Sequence, residues 1–340
     1  MSGPLKIGFI ALNDAAVLIA AHAHGLFAAE GLEVELVREV SWATMRDKLN
    51  VGALDAAHML SPLVLATSVG AGGAQPTPLI ATFALALNGP AITLASRLAP
   101  GLGKDASGLA RLVARRRDEG ASPITLAVVF PFSTHAYLLR DWLSRAGIDP
   151  DRDVRLTIAP PSRMTELLVD GVVEGFCVTE PWDSAAVMAG AGRILVRSSE
   201  LWPRTPDKVL AVREAWAGEN GPALAAALRA MSKAAAWVDD PANRAELVAL
   251  LSQPHYVGAS PEVIDASLVD MIFHADHAST PQPLHAEWLL GQMRRWGHVS
   301  RELDVSGVAR RVYRPDLLAA ATGAAPAPLL EALGGFLAPK

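Results

Sequence analysis

Read for hydrophobic and polar positions, the chain opens on an apolar run, LKIGFIAL at 5–12, that predicts a buried strand. An alanine-rich stretch at 14–30, stopping at Gly31, predicts a helix whose start Asn13 or Asp14 would cap. Alternation in LEVELVREV at 32–40 predicts a second strand, and Ser41 caps a helix running through TMRDKLNVG. A third strand is expected at 54–60 (LDAAHML), followed by a helix with Ser61 at N-cap and Pro62 at N1. Strands and helices alternating at this length imply βαβ units around a parallel sheet.

The same order then recurs: strand 124–130, helix 133–146, strand 153–159, helix 162–170, strand 175–179, and a helix opened by Pro181. One segment repeats by spacing, with Gly52, Asp55 and Pro62 matched by Gly171, Glu174 and Pro181. Either two α/β halves share a topology or common turn residues coincide. Gly/Pro-rich loops are expected at 70–78 and 97–108, and ITLAS (92–96) with KVLAVRE (208–214) are candidates for strands crossing between the halves. Beyond residue 220 the pattern is helical, with Pro222, Pro241 and Pro261 as openers, and these helices are expected to pack back on the first half. The expected division is 1–96 with 207–340 as one lobe and 97–206 as the other.

At 340 residues the chain exceeds the roughly 150 of an ordinary domain, which agrees with two lobes. Thirty Lys and Arg against thirty-five Asp and Glu leave a net charge of −5, which argues against a nucleic-acid surface. A single cysteine, Cys177, excludes an intramolecular disulfide and any multi-cysteine metal site. No run of 18 apolar residues predicts a membrane span, and Asn13-Asp14 breaks what could otherwise pass for a signal peptide. The expectation is a cytoplasmic protein, or a mature domain whose leader has been removed.

Ligands of open parallel sheets bind beyond the carboxyl ends of strands, where helix starts present N–H groups. Two such positions carry a hydroxyl cap beside a ring: Ser41-Trp42-Ala43-Thr44, and Pro131-Phe132-Ser133-Thr134-His135. They read equally as plain caps beside a packed ring or as a cradle for a small anion. Phosphate-loop, nucleophile-elbow and HExxH signatures are missing from the sequence. His274, Asp276 and His277 read as a solvated helix end, the run Arg111, Arg115, Arg116, Arg117 as an exposed helix face, and Cys177 as a small hydrophobe.

The segments SWATMRDKLNVGALDAAHMLSPLVLA, ALNGPAITLAS, FPFSTHAYLLRDWL, FCVTEPWDSAAVMAGAGRI and LWPRTPDKVLAV, in this order, resemble the nitrate- and bicarbonate-binding proteins of ABC import systems. The resemblance covers most of residues 5–240. It implies an α/β fold of the type II periplasmic-binding-protein kind, with two lobes, a cleft and a helical C-terminal region. It also implies a binding protein rather than an enzyme, without cofactor or metal, whose ligand is a small inorganic anion, nitrate or nitrite. The family's tryptophan, histidine and lysine ligands match Trp42, His135 and Lys208, and Ser41, Thr134, Asn88 and Gly89 join them as candidate ligand-binding residues. Two positions depart from the family: Pro90 stands where an amide side chain is frequent, and Thr205 where a histidine is common. Within the resemblance, the cytosolic nitrate and nitrite sensors of the NasS type imply an ANTAR-class RNA-binding antiterminator as protein partner, with no direct nucleic-acid contact and no membrane insertion. The alternatives are an import component whose signal was removed and an enzyme like the pyrimidine-precursor synthases, which use a cysteine-rich segment that this chain lacks.

Overall fold

A computed structural model describes residues 3–98 and 100–323. Its ten strands are β1 (Leu5–Ile10), β2 (Val34–Glu39), β3 (Ala56–Leu60), β4 (Leu79–Leu87), β5 (Pro90–Ala95), β6 (Ile124–Val128), β7 (Val154–Ile158), β8 (Gly175–Thr179), β9 (Gly192–Arg197) and β10 (Pro206–Arg213). They form two five-stranded sheets, ordered β2-β1-β3-β10-β4 and β7-β6-β8-β5-β9. In the first, β1 runs parallel to β2 and β3 while β10 is antiparallel to β3 and β4. In the second, β6 runs parallel to β7 and β8 while β5 is antiparallel to β8 and β9.

The parallel triplet β2-β1-β3 therefore reappears as β7-β6-β8, and the repeated spacing marks one joint built twice. Gly52 and Gly171 take φ of +79° and +71°, a region in which a Cβ is strained. Three residues later an acid turns to the strand that neighbours its own in the sheet. Asp55 Oδ2 accepts from the N–H of Lys6 at 2.9 Å, and Glu174 Oε2 accepts from the N–H of Thr125 at 3.4 Å.

Four expectations need correction. LIATFALAL at 79–87, read as no element, is β4 and is buried along its whole length. The lobe boundary expected at 96/97 lies earlier, because β5 hydrogen-bonds to β8 and β9 in the second sheet; the chain crosses at Asn88-Gly89 and returns just ahead of β10. The helix expected over 14–30 is a 3-10 turn (Asn13–Ala15), a helix Ala16–Ala23 and a short helix Leu26–Ala29, separated at Gly25 with φ +66°. The arginine run is not simply an exposed face, since Arg116 grips Glu174 with two bonds of 2.8 and 2.5 Å.

Apolar side chains of β1 (Leu5, Ile7, Phe9) cluster with the helices Ala16–Ala23 and Gly221–Asp239. Leu12 and Trp42 instead belong to the cluster holding Tyr137 and Cys177 of the second lobe, so the apolar core is continuous across the cleft. The C-terminal helices Pro283–Arg295 and Val305–Val312 rest on the helix Ser61–Val69 of the first lobe. They also reach the second lobe: Arg295 donates to Asp141 Oδ1 at 2.8 Å, and His298 Nδ1 lies 2.8 Å from the Tyr137 hydroxyl. Among the described residues no helix is long and apolar enough to cross a membrane.

Candidate functional site

Five chain segments converge between the lobes. The turn after β1 brings Asn13 and Asp14, the helix Trp42–Asn50 after β2 brings Trp42, and the helix Thr134–Arg145 after β6 brings Thr134 and His135. Thr179 ends β8, while Asp207 and Lys208 begin β10, where Lys208 lies opposite Leu60 of β3. Both helices start on hydroxyl caps as the sequence predicts: Ser41 Oγ accepts from the N–H of Thr44 at 3.5 Å and Ser133 Oγ from that of Ala136 at 3.0 Å. Their first-turn N–H groups, which no helix carbonyl can pair, are thereby held at the cleft.

Lys208 is the centre of the cluster, and its ammonium is fully enclosed. It donates to Asp14 Oδ2 at 2.6 Å, to Thr179 Oγ1 at 2.8 Å and to Asp207 Oδ2, so its three hydrogens are all engaged. Nζ also stands 5.7 Å from the centre of the Trp42 ring. Thr179 donates to Asp207 Oδ2 at 2.6 Å, and His135 Nε2 lies 2.7 Å from Thr179 Oγ1 and 3.6 Å from Asp207 Oδ2. On the other flank His58 Nε2 comes within 2.9 Å of Asp14 Oδ1, off the line of a good hydrogen bond, and its ring meets Trp42 edge-on at 5.5 Å.

Burial sets the electrostatics. It pushes the Asp14 carboxyl up, but Lys208 and then His58 outweigh it and hold the group well below the usual carboxylate range. Burial would likewise lower the Lys208 ammonium, yet Asp14 and Asp207 raise it above its ordinary value. His135 is pushed down to about 4, chiefly by burial, with Asp207 opposing and Lys208 adding to the effect. Among the described residues, three buried polar atoms here have no partner, Trp42 Nε1, His135 Nδ1 and Asp207 Oδ1, while Tyr313, buried near Asp207, turns its hydroxyl to Ser61. An unpaired indole N–H costs about 1–3 kcal/mol when buried, and an arriving acceptor would recover it.

The lobes are drawn together over this cluster. Trp182 Nε1 donates to the Ala11 carbonyl at 3.0 Å, and the Asn13 N–H to the Glu180 carbonyl at 3.0 Å. Thr134 Oγ1 donates to the Pro206 carbonyl at 3.0 Å, which spends its only hydrogen.

Of the residues expected in the site, Trp42, His135, Lys208 and Thr134 are brought together, with Ser41 supporting the helix start. Asn88 and Gly89 are placed in the crossing instead. The Asn88 amide donates to the Asp270 carbonyl at 2.9 Å and accepts from the Thr205 N–H at 3.0 Å, and Gly89 offers its carbonyl to Glu180. Sequence reasoning missed Asp14, His58, Thr179, Asp207 and Tyr313. A signal for Asp14 existed in the polar pair that interrupts the first apolar run: both side chains are buried, and neither caps the helix. Asn13 bonds Ser267 Oγ at 2.7 Å instead. His274, Asp276 and His277 lie on an exposed turn where Asp276 pairs with Arg204, and no group of three metal-ligating side chains occurs among the described residues. Cys177 is buried and its thiol is pushed well up by burial, as suits a small hydrophobe.

The chain has relatives. The NMT1-like family matches residues 2–252. The nitrate import ATP-binding protein NrtC of Synechocystis is 34% identical over 330 residues, covering 92% of this chain but 49% of that protein, so the chain spans about half its length. The nitrate/nitrite binding protein NrtA of Synechococcus elongatus is 33% identical over 336 residues, covering 92% of this chain and 76% of the relative. In three dimensions the crystal structure of the periplasmic nitrate-binding protein NrtA from Synechocystis superposes with a TM-score of 0.90 at 30% identity, covering 98% of this chain and 92% of that one. Two mixed sheets flanking a cleft are thus the periplasmic-binding-protein fold, and the chain belongs to the NMT1-like family as a homologue of the nitrate-binding NrtA proteins.

Proposed function

We propose that the protein binds nitrate or nitrite between its lobes and makes or breaks no bond in it. The observation that carries this reading is a fully enclosed ammonium, Lys208, beside an indole N–H that no atom among the described residues accepts. Two helix starts add N–H groups and positive potential from opposite lobes. A small monoanion suits this arrangement better than a dianion, because Asp14 and Asp207 already counter the one lysine. Lys208 therefore contributes its field rather than a free hydrogen. Calorimetry against nitrate, nitrite, bicarbonate and sulfate is the test, with the expectation of a dissociation constant near the micromolar range for nitrate or nitrite, about −8 kcal/mol. Binding of bicarbonate or sulfate alone would overturn it.

For the use made of binding we propose a cytoplasmic sensor that withholds an ANTAR-class antiterminator when empty and frees it when the anion draws the lobes together. Support comes from the resemblance to such sensors and from the division of the cluster between the lobes, with Asp14, Asp207 and Lys208 on one and His135 and Thr179 on the other, so that a small ligand can decide the surface on view. An import component is the competing reading. Co-elution of the regulator with the empty protein, abolished by nitrate, is the expected result; co-elution unaffected by nitrate, or none, favours import.

A further inference from the structure

The hydrogen positions in the cluster are dictated by its donors and acceptors. Thr179 has one hydrogen, and it goes to Asp207 Oδ2 at 2.6 Å, because two oxygens that close need a hydrogen between them. The remaining lone pairs of Thr179 accept from Lys208 Nζ and from His135 Nε2, so Nε2 carries the imidazole hydrogen. A neutral ring then leaves His135 Nδ1 as a bare lone pair, and that atom is buried without a partner. Around that ring two carboxylates, Asp14 and Asp207, face the one ammonium of Lys208. A monoanion entering alone would meet those carboxylates and, at His135, a lone pair in place of a donor.

We infer that nitrate enters together with one proton, taken from solvent by His135 Nδ1, so that the neutral ring becomes an imidazolium that donates to the anion. The inference rests on the anion-binding reading above. The new N–H bond turns the orphaned acceptor into a donor, and nitrate plus proton leaves the net charge of the cluster unchanged. The groups facing His135 favour this once an anion is present: Asp207 from β10 and Asp14 from the turn after β1 stabilise the imidazolium, and Lys208 opposes it. Thr179 and Cys177 on β8 stay protonated and add no charge. From the helix Pro283–Arg295, packed against the helix Thr134–Arg145, Arg295 is engaged at Asp141 and Ser144. Without the anion, burial keeps the ring neutral, as its depressed pKa of about 4 records.

Titration of nitrate into the full chain in phosphate and in Tris at one pH, repeated from about pH 5.5 to about 8, is the test, since His135 would be neutral when empty and charged when bound throughout that range. The expected result is uptake of about one proton per nitrate and a dissociation constant that rises about tenfold per pH unit. Nitrogen NMR of histidine-labelled protein should show His135 passing from the Nε2–H form to the imidazolium on adding nitrate. His135→Gln, which offers an amide donor without taking a proton, should bind nitrate with neither proton uptake nor pH slope. Nitrate binding with buffer-independent heat and a flat pH profile overturns the inference and leaves the anion reading standing; no heat at any pH overturns both. Should the variant not fold, the NMR of the unaltered protein decides, and a ring that stays neutral with nitrate bound overturns the inference.

Discussion

At Trp42 the ring and its N–H can be separated by mutation. Trp42→Phe keeps an aromatic wall against Lys208 and His58 but removes the orphaned donor. Nitrate affinity should fall about tenfold, about 1.4 kcal/mol, while the melting temperature holds or rises; calorimetry and a thermal melt read both. Acid should act on the same cluster through two groups of different kind. Asp14 titrates lower in the folded chain than its unfolded 3.8, so its contribution is present above that value and is lost as pH falls towards the folded one. His135 titrates near 4 when folded against 6.5 unfolded, so between these values the unfolded chain binds the extra proton and stability drops as pH falls. Melting temperature should therefore decline from about pH 6.5 downward, and saturating nitrate should flatten the upper part of that decline. A melting temperature constant down to about pH 4 would contradict both assignments. Only part of this was legible in the sequence: capped helix starts after strands pointed to Trp42 and His135, and family resemblance to Lys208. Thr179 and Asp207 gave no such signal and Asp14 only the polar break in the first apolar run, because what makes them functional is proximity to Lys208, which for Asp14 spans 194 positions.

Among the elements, those punctuated by Gly, Pro or a hydroxyl cap were readable. The two parallel triplets follow from such joints, down to the acid after Gly52 and Gly171. What the sequence hid was β4, whose apolar run, broken only by Thr82, has no period to betray a strand, and the crossing to β5, which depends on partners far along the chain. The turn after β1 and the helix Trp182–Met188 meet across the cleft through a single indole bond, from Trp182 to the Ala11 carbonyl. Trp182→Phe removes that bond and retains the apolar contact. Because the bond exists only with the lobes together, its loss should speed nitrate dissociation several-fold, about 1 kcal/mol, with little change in association. Stopped-flow kinetics would show it, and an unchanged off-rate would mean that the bond does not hold the lobes.

For the whole molecule, the second lobe is one uninterrupted stretch, β5 to β9, inserted between β4 and β10 of the first. Arg295 and the loop bearing His298 add a later tie to its helix Thr134–Arg145, so the lobes are joined by two crossings and a C-terminal strap. β10 is an interior strand of the first sheet and carries Asp207 and Lys208, yet it is synthesised after everything in the second lobe. On the ribosome, then, the second lobe can fold while β3 and β4 still lack the strand between them, and the two carboxyl-end turns of the first sheet wait for their lysine. A chain truncated after residue 205 and released should thus yield a protease-resistant second lobe attached to a digestible first one. The ion cluster is completed only after the whole second lobe has been made, which makes a correctly assembled site a record that synthesis passed through both lobes in order.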